Sequence, residues 1–462
     1  MAAVALMTGL PACAHQIVSP IASGPVPGTK QLARSVSITG PEGAPLAPQE
    51  KLATLRQVAA QGRPVLLQAQ LAAMARFGDM DLYAGNRARL LLDGPATFAA
   101  MFEAIRGARR SILLESYIVE DARIARELAA LLKARRAEGL DVVLLYDAVG
   151  SIGTDQAFFD GLRDAGVAVC KFNPVNPLER PGYWGISHRD HRKLLVVDDE
   201  LAFTGGINIS SVYSSGSMGT RRSSRAVGEA GKASGWRDTQ IAIQGPAAGA
   251  MGTLFRSSWL RQGCEGEPGP VQPVSARRGG AQLVRIVAAT PDDPESRIYR
   301  LLLGSIQAAS HSIYMTMAYF APGAEMLDAL KAAARRGVDV KLVLPSLSDF
   351  TPVLEAGRAS YADLLEAGVS IHELQSSVLH AKTAVIDGVV STVGSSNMDW
   401  RSFEANDEVN AVVLGEDFAG EMMEAFRRDL AASVQISAAE WARRPLLQKL
   451  RQAFWQVFER FW

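Results

Sequence analysis

The chain of 462 residues contains only three cysteines, no long apolar run and no net charge. Three cysteines are too few for the disulfide framework of a small secreted domain. No uninterrupted apolar stretch approaches the roughly 20 residues that span a bilayer, so we predict no transmembrane helix. Because 48 Lys and Arg balance 48 Asp and Glu, no global positive field attracts nucleic acid, and attraction to an anionic surface requires local patches.

The remaining composition is that of a folded globular protein. Apolar residues make up 48% and charged residues 21%, and 41 Gly and 22 Pro are spread along the chain. These proportions exclude collagen-like, coiled-coil and wholly disordered proteins. At roughly 150 residues per domain, the length fits about three domains or two large ones.

The first 29 residues carry no acidic or basic side chain. A short apolar run ends in Leu10-Pro11-Ala12-Cys13, which resembles a bacterial lipoprotein signal with Cys13 as the candidate lipidation site. The basic segment that normally begins such a signal is absent, so two interpretations stay open: the natural start lies upstream, or the similarity is accidental. Residues 16–50 are rich in Pro, Gly and Ser without periodicity, and we predict that they form an extended tether. Residues 1–50 would then consist of a possible truncated lipoprotein signal plus this tether, with order beginning near Lys51.

Residues 441–462 predict an amphipathic C-terminal helix with Pro445 at its first position. Five basic residues against one acidic residue give this segment a charge of +4, and it also contains three Trp. That combination suits a helix lying on an anionic lipid surface. A helix docked on the core through its apolar face is the alternative. The apolar face consists of Leu447, Leu450, Phe454, Val457, Phe458 and Phe461.

Beyond the tether, predicted helices alternate with short apolar strands, as in parallel α/β proteins. Strands are predicted within 110–119, 141–149, 167–173, 311–320, 339–346 and 369–374. Helices are predicted at 98–109, 122–138, 323–336 and 355–366. Because this order repeats, we predict two similar α/β domains over 51–262 and 281–440, joined by a linker at 263–280.

Each half ends in the same motif, H-x-K-x-x-x-x-D. Subtracting 191 from 380 gives an offset of 189, and the same offset relates Gly205 to Gly394 and Asn208 to Asn397. Two motifs with matching flanks argue strongly against chance. The motif residues are His191, Lys193 and Asp198 in the first half and His380, Lys382 and Asp387 in the second.

A further match appears when the first half is allowed an insertion. RDTQIAIQG then aligns with NDEVNAVVLG and places Asp238 opposite Glu408. The insertion is predicted near residues 214–235, where the Gly, Ser and Arg content and a net charge of +3 indicate a mobile loop.

The motif can place side chains that act on a phosphate group on one side of a strand. Residues i and i+2 of a strand face the same side, so His and Lys reach one ligand, whereas the Asp at i+7 has the opposite parity. An imidazole can attack as a nucleophile or transfer a proton near neutral pH, and an ammonium group stabilises phosphate charge. We interpret Asp198 and Asp387 as turn formers and internal salt-bridge partners, because Asp198-Asp199 and Asp387-Gly388 are typical of turns.

These motifs resemble those of the phospholipase D superfamily, whose members carry two such His-Lys-Asp motifs. The similarity extends from about Asn86 to Leu430. It implies two similar α/β domains packed about a pseudo-twofold axis, with both motifs in one active site at the domain interface. More narrowly, the chain is similar to bacterial cardiolipin synthases in LLLDGPATFAAMFEAI, NPVNPL, HRDHRKLLVVD, FTGGINIS and WRDT.

The resemblance also implies a catalytic role for the motif residues, without a metal or other cofactor. One His attacks the phosphodiester phosphorus to give a covalent phosphohistidine, and the other protonates the departing alcohol and then deprotonates the acceptor. We assign His191 as the nucleophile and His380 as the acid and base, and the reverse assignment stays open. The remaining candidates are Lys193, Lys382, Asn208 and Asn397 around the phosphate oxygens, and Asp238 and Glu408 as His-orienting acids.

Three activities of this superfamily would use the same residues. Because the chain has membrane-facing features, we favour a synthase. Such an enzyme takes a phosphatidyl group from phosphatidylglycerol or phosphatidylethanolamine and passes it to phosphatidylglycerol. A phospholipase D would instead pass that group to water. A nuclease is disfavoured because the sequence has no basic stripe, and we therefore expect no nucleic-acid partner. A noncatalytic scaffold is disfavoured because both motifs are complete.

These features together predict where the protein acts. We expect a bacterial cell-envelope protein held at a membrane surface by its C-terminal helix, a lipid on Cys13, or both. The phosphatidyl donor, the leaflet and the oligomeric state stay open.

Overall fold

The structure is a computed structural model that describes most of the chain. The candidate lipidation site Cys13, most of the predicted insertion at 214–235 and part of the predicted linker at 263–280 lie outside the described residues. The described residues are 26–77, 80–176, 187–217, 235–266, 268–271, 280–293 and 296–458.

Helices and strands alternate through both halves of the chain. The N-terminal region contains α1 (Thr29–Ser35), β1 (Ser37–Thr39), α2 (Pro48–Ala59) and α3 (Pro64–Met74). The first half contains β2 (Asp81–Leu92), α4 (Asp93–Gly107), β3 (Ser111–Ser116), α5 (Arg123–Ala137), β4 (Asp141–Asp147), α6 (Gln156–Arg163), β5 (Ala168–Phe172), β6 (Arg189–Asp190), β7 (Lys193–Val197), β8 (Leu201–Gly205), β9 (Thr239–Gln244) and α7 (Pro246–Gln262).

The second half repeats this plan and adds two C-terminal helices. It contains β10 (Gln282–Ala289), α8 (Arg297–Ala308), β11 (Ser312–Met317), β12 (Phe320–Ala321), α9 (Gly323–Arg335), β13 (Asp339–Pro345), α10 (Thr351–Ala359), α11 (Tyr361–Glu366), β14 (Ser370–Leu374), β15 (Lys382–Ile386), β16 (Val390–Gly394), β17 (Met398–Asp399), β18 (Asn406–Leu414), α12 (Glu416–Ala431), β19 (Ser433–Gln435), α13 (Ala438–Ala442) and α14 (Leu446–Val457).

The strand order confirms two similar α/β halves related by a pseudo-twofold axis. From one edge to the other it is β5-β4-β3-β7-β8-β9-β2-β10-β18-β16-β15-β11-β13-β14-β19. Strands β3, β4 and β5 pair in parallel, as do β11, β13 and β14, and the other neighbours pair antiparallel. The order on one side of the β2–β10 junction therefore mirrors the order on the other.

The central strands are apolar on both faces because both faces are covered. Leu113 of β3 points into a core that contains residues of both halves, whereas its neighbours Ile112 and Leu114 point into the outer core of the first half. In β15, Val385 faces the shared core and Ala384 faces the outer core of the second half. The shared core packs the two halves against each other and thereby fixes the relative positions of their motifs.

The predicted N-terminal tether is wrong for residues 29–39, which form α1 and β1. Leu32, Val36 and Ile38 are buried in the outer core of the second half, and β1 pairs in parallel with β2. Apolar side chains at these positions order the segment, although Gly and Pro residues flank it on both sides. The first-domain boundary also differs, because α2 and α3 pack into this same outer core of the second half.

Two further local features differ from the sequence analysis. The helix predicted at 355–366 is interrupted at Ser360, which separates α10 from α11. Cys170 of β5 and Cys264, just after α7, form a disulfide. These cysteines are 94 residues apart and had no assigned role, because only the tertiary fold brings β5 and the end of α7 together.

The C-terminal helix α14 leaves its apolar face exposed. Leu447 is 80% exposed and Leu450 is 58% exposed, whereas the polar Gln452 is buried. The side chain of Arg451 forms a 2.7 Å ion pair with Glu355 of α10. Docking through the apolar face, the alternative considered above, is therefore wrong. No helix among the described residues combines the length and apolar character needed to cross a bilayer.

Candidate active site

The two motifs meet where β7 and β15 begin. His191 and His380 lie two residues before Lys193 and Lys382, which are the first residues of these strands. The backbone N–H of His191 donates to the carbonyl of Asp407 in the other half. In the same way, the N–H of His380 donates to the carbonyl of Arg237 of the first half. Backbone hydrogen bonds thus join each motif to the opposite half.

Each motif imidazole is held by an acid from the opposite half. Nδ1 of His191 lies 2.9 Å and 3.1 Å from the two carboxylate oxygens of Glu408. Nδ1 of His380 lies 2.8 Å from Oδ2 of Asp238. A carboxylate at Nδ1 orients the ring and leaves Nε2 for attack or proton transfer. The structure brings both predicted acids to the site and supplies the pairing, which the sequence analysis left unassigned.

The two lysines occupy equivalent buried positions. Nζ of Lys193 donates to the carbonyl oxygen of His191 at 2.5 Å, and Nζ of Lys382 donates to that of His380 at 2.5 Å. Burial lowers the pKa of Lys193 to about 7 and the pKa of Lys382 to about 8. An anionic phosphate between them would favour their charged forms.

The histidines are also shifted toward their neutral forms. Burial, together with the charges of Lys193 and Lys382, lowers the pKa of His191 to about 4, although Glu408 opposes this shift. Burial and Lys382 lower the pKa of His380, and Asp238 opposes that shift. A neutral imidazole is the form that attacks phosphorus.

The two predicted phosphate-binding asparagines are buried near the motifs. Oδ1 of Asn208 accepts the N–H of Ile118 at 3.2 Å, and its Nδ2 lies 3.4 Å from the hydroxyl of Tyr213. Oδ1 of Asn397 is buried and has no hydrogen-bond partner among the described residues. Their binding of phosphate oxygens stays a prediction.

The motif aspartates lie away from the motif lysines and imidazoles. Asp198 and Asp387 follow the five-residue strands β7 and β15, about 16 Å along the strand from the lysines at about 3.3 Å per residue. Both have positive φ, 56° and 55°, as expected for turns. The catalytic role implied for them by the resemblance is therefore not supported by contact with the site.

Backbone amides, not cations, bind the carboxylates of these aspartates, whereas Arg110 and Arg63 donate to their backbone carbonyls. The Asp198 carboxylate accepts three N–H groups at 2.7–2.9 Å, and that of Asp387 accepts three N–H groups and the Gln70 side chain. The expected salt bridges are thus wrong, and the expected turns are confirmed. The amide donors belong to Arg109, Arg110 and Ser111 for Asp198, and to Ser310, His311 and Ser312 for Asp387.

Aromatic side chains that the sequence analysis did not identify enclose the imidazoles. The ring of Tyr117 lies 5.1 Å from that of His191, centroid to centroid. The ring of Trp236 lies 5.3 Å from that of His380, and the hydroxyl of Tyr213 lies 3.0 Å from its Nδ1. No spacing signal identified these aromatics as site residues, although Trp236 begins the WRDT stretch that is similar to cardiolipin synthases.

Among the described residues, no group of three or more His, Cys, Asp or Glu side chains is arranged to hold a metal ion. The arrangement instead presents two oriented imidazoles and two buried ammonium groups to one centre. Such a centre can exchange groups on a phosphodiester through nucleophilic attack and proton transfer.

Comparison with known proteins places this arrangement in a family. The chain is 34% identical over 385 residues to cardiolipin synthase A of Pseudomonas fluorescens, covering 83% of this chain and 76% of that protein. The chain belongs to the cardiolipin synthase family of the phospholipase D superfamily. It is also 32% identical to cardiolipin synthase 2 of Bacillus anthracis over 387 residues, covering 83% of this chain and 72% of that protein.

Two further comparisons concern the second half of the chain and the fold. The family described as "Cardiolipin synthase, PLD-like domain" matches residues 302–430, which contain the second motif. The crystal structure of phosphatidylserine synthase from Haemophilus influenzae superposes with a TM-score of 0.58 at 11% identity, covering 81% of this chain and 95% of that chain. This likeness supports the shared fold.

Proposed function

We propose that this member of the cardiolipin synthase family transfers a phosphatidyl group to phosphatidylglycerol through a phosphohistidine intermediate. The observation that carries the proposal is the pair of buried imidazoles, each held at Nδ1 by a carboxylate of the opposite half. One imidazole supplies the nucleophile and the other moves the proton, so a single centre serves both steps.

In the first step, Nε2 of His191 attacks the phosphorus of the donor lipid. The N–P bond forms, the P–O bond to the headgroup alcohol breaks, and His380 gives its proton to the departing oxygen. In the second step, His380 takes the proton of the acceptor hydroxyl, whose oxygen attacks phosphorus as the N–P bond breaks. With phosphatidylglycerol as both donor and acceptor, the products are cardiolipin and glycerol.

The environments of the two imidazoles support this division of roles. The pKa of His191, lowered to about 4, keeps this ring neutral for attack. Burial and Lys382 lower the pKa of His380, but the charges of Asp238 and Asp349 act in the opposite direction and favour its protonated form. The lysines, with Asn208 and Asn397, provide donors for the phosphate oxygens, where charge develops in the transition state.

Membrane association is part of the proposal. Helix α14 exposes Leu446, Leu447, Leu450, Phe454 and Val457, and Arg443, Arg444, Lys449 and Arg451 lie in the same segment. An exposed apolar face beside basic side chains suits an anionic lipid surface. We therefore place the protein at a membrane surface of the bacterial cell envelope.

Mass spectrometry of the products tests this function. Purified protein is incubated with phosphatidylglycerol in mixed micelles, with His191→Ala as the control. Cardiolipin and free glycerol, both absent with the variant, are the expected products. Phosphatidic acid alone would show that water is the acceptor, which is the alternative phospholipase D activity and would contradict the proposed transfer.

A further inference from the structure

The pseudo-symmetry of the active site is broken at its solvent side by one exposed carboxylate. Asp349 is the fourth residue after β13, and the fourth residue after β4, at the matching place, is Ser151. The Ser151 hydroxyl is buried, where it accepts the N–H of Val119 at 3.0 Å and donates to the carbonyl of Tyr117 at 3.2 Å. The first half thus turns a neutral group inward where the second half presents a negative charge.

Asp349 is held beside the catalytic centre by Tyr319. The Tyr319 hydroxyl donates to Oδ1 of Asp349 at 2.8 Å, and its ring stands edge-on to that of His380 with the centroids 6.4 Å apart. Burial lowers the pKa of His380 and of Lys382, and the Asp349 charge acts in the opposite direction on both groups. The exposed carboxylate therefore lies on the His380 side of the centre.

Ordinary structural roles do not account for this carboxylate. Helix α10 begins two residues later, but its N-cap residue is Phe350, whose N–H donates to the hydroxyl of Ser348 at 3.0 Å. Within the described part of the chain, no Lys, Arg or His nitrogen lies within 4.0 Å of Asp349, and its Oδ2 accepts no hydrogen bond. Oδ2 is thus available to a substrate.

We propose that Asp349 binds the alcohol that leaves or enters at His380, by accepting a hydrogen bond from its second, non-reacting hydroxyl. The inference rests on the phosphatidyl transfer proposed above. A glycerol headgroup carries a hydroxyl beside the reacting one, whereas a simple alcohol or water carries none. The substrate class favoured by Asp349 is therefore a vicinal diol, and the residue would determine specificity for the acceptor.

Partition of one intermediate among competing acceptors isolates this role. Full-length protein is supplied with phosphatidylglycerol in mixed micelles together with deuterated glycerol and 1-propanol, and the labelled phosphatidylglycerol, phosphatidylpropanol and phosphatidic acid are quantified. Because all three products arise from the same phosphohistidine, their ratio does not depend on the rate of the first step. Hydrogen bonds to charged groups are strong enough for a preference of about 10-fold to 100-fold.

Asp349→Asn should lower the ratio of glycerol to propanol product by about tenfold or more. Tyr319→Phe, which removes the hydroxyl that holds the carboxylate, should lower it less. Asp363→Asn alters an exposed acid of α11 and should leave the ratio unchanged. Because Asp349 is exposed, its replacement should not change the melting temperature.

Three results would overturn the inference. An unchanged ratio in Asp349→Asn would show that the carboxylate does not contact the acceptor. An equal fall of all three products, which also leaves the ratio unchanged, would assign Asp349 to positioning His380. A wild-type protein that forms neither cardiolipin nor any of these three products would instead overturn the proposed transfer, and this inference with it.

Discussion

Replacing Glu408 with Gln tests the pairing of each imidazole with an acid of the opposite half. The carboxylate is fully buried and lies 2.9 Å from Nδ1 of His191, and Ser395 donates a hydrogen bond to it. Gln has nearly the same size, so it removes the charge with little change in packing. Its amide can also donate to Nδ1, which moves the imidazole proton to Nε2 and blocks attack.

The expected loss follows from the charge that His191 gains as the N–P bond forms. At an effective dielectric constant of about 20, two unit charges 2.9 Å apart interact by about 5.7 kcal/mol. Since about 1.4 kcal/mol changes a rate tenfold, Glu408→Gln should slow formation of the phosphoenzyme by about 10⁴-fold. The same type of change in a Ser-His-Asp triad has an effect of this size.

Single-turnover trapping of the phosphoenzyme measures that step directly. Protein is mixed with lipid radiolabelled in its phosphatidyl group, and label retained on the protein is followed in time. Glu424→Gln, an exposed acid of α12, is the matched control and should react normally. If Glu408→Gln, with an unchanged melting temperature, traps label within tenfold of the wild-type rate, the orienting and charge-stabilising role of Glu408 is refuted.

Three other measurements probe the titration, the membrane face and the disulfide. The free protein needs neutral His191, protonated His380 and charged Lys193, so kcat/KM should rise with pH through about 4. It should then fall as His380, whose pKa is lowered by burial and Lys382, and Lys193, whose pKa is about 7, lose their protons. Lys193→Arg removes one of these two proton losses and should make the alkaline limb less steep, and an unchanged slope would show that Lys193 does not contribute to that limb. Replacing both Leu447 and Leu450 with Gln should weaken binding to anionic vesicles about tenfold or more, because each substitution removes exposed apolar area. Turnover in detergent micelles should stay unchanged. Retained vesicle binding would show that the helix is not the membrane contact. Cys170→Ser removes a disulfide between residues 94 apart and should lower the free energy of unfolding by about 4–5 kcal/mol, from the chain entropy that the cross-link removes. The denaturant midpoint under oxidising conditions should fall accordingly. An unchanged midpoint would show that this disulfide does not stabilise the fold.

Local sequence patterns predicted much of the fold because they report local geometry. Short apolar runs predicted β3, β4, β11 and β13, in which most positions are buried, and the offset of 189 identified the repeat. The same reasoning failed for residues 29–39, since the Gly and Pro residues on either side of this segment concealed Leu32, Val36 and Ile38, which the second half buries. The disulfide likewise depends on the convergence of distant segments.

The residue types of the motifs indicated the chemistry of the site, but they did not indicate how the site is assembled. The spacing of His and Lys predicted that each pair serves one ligand, and the repeat nominated Asp238 and Glu408. Those acids reach histidines 142 and 217 residues away, and no local period encodes such distances. The shared core docks the halves face to face, and that docking alone decides that each half orients the imidazole of the other.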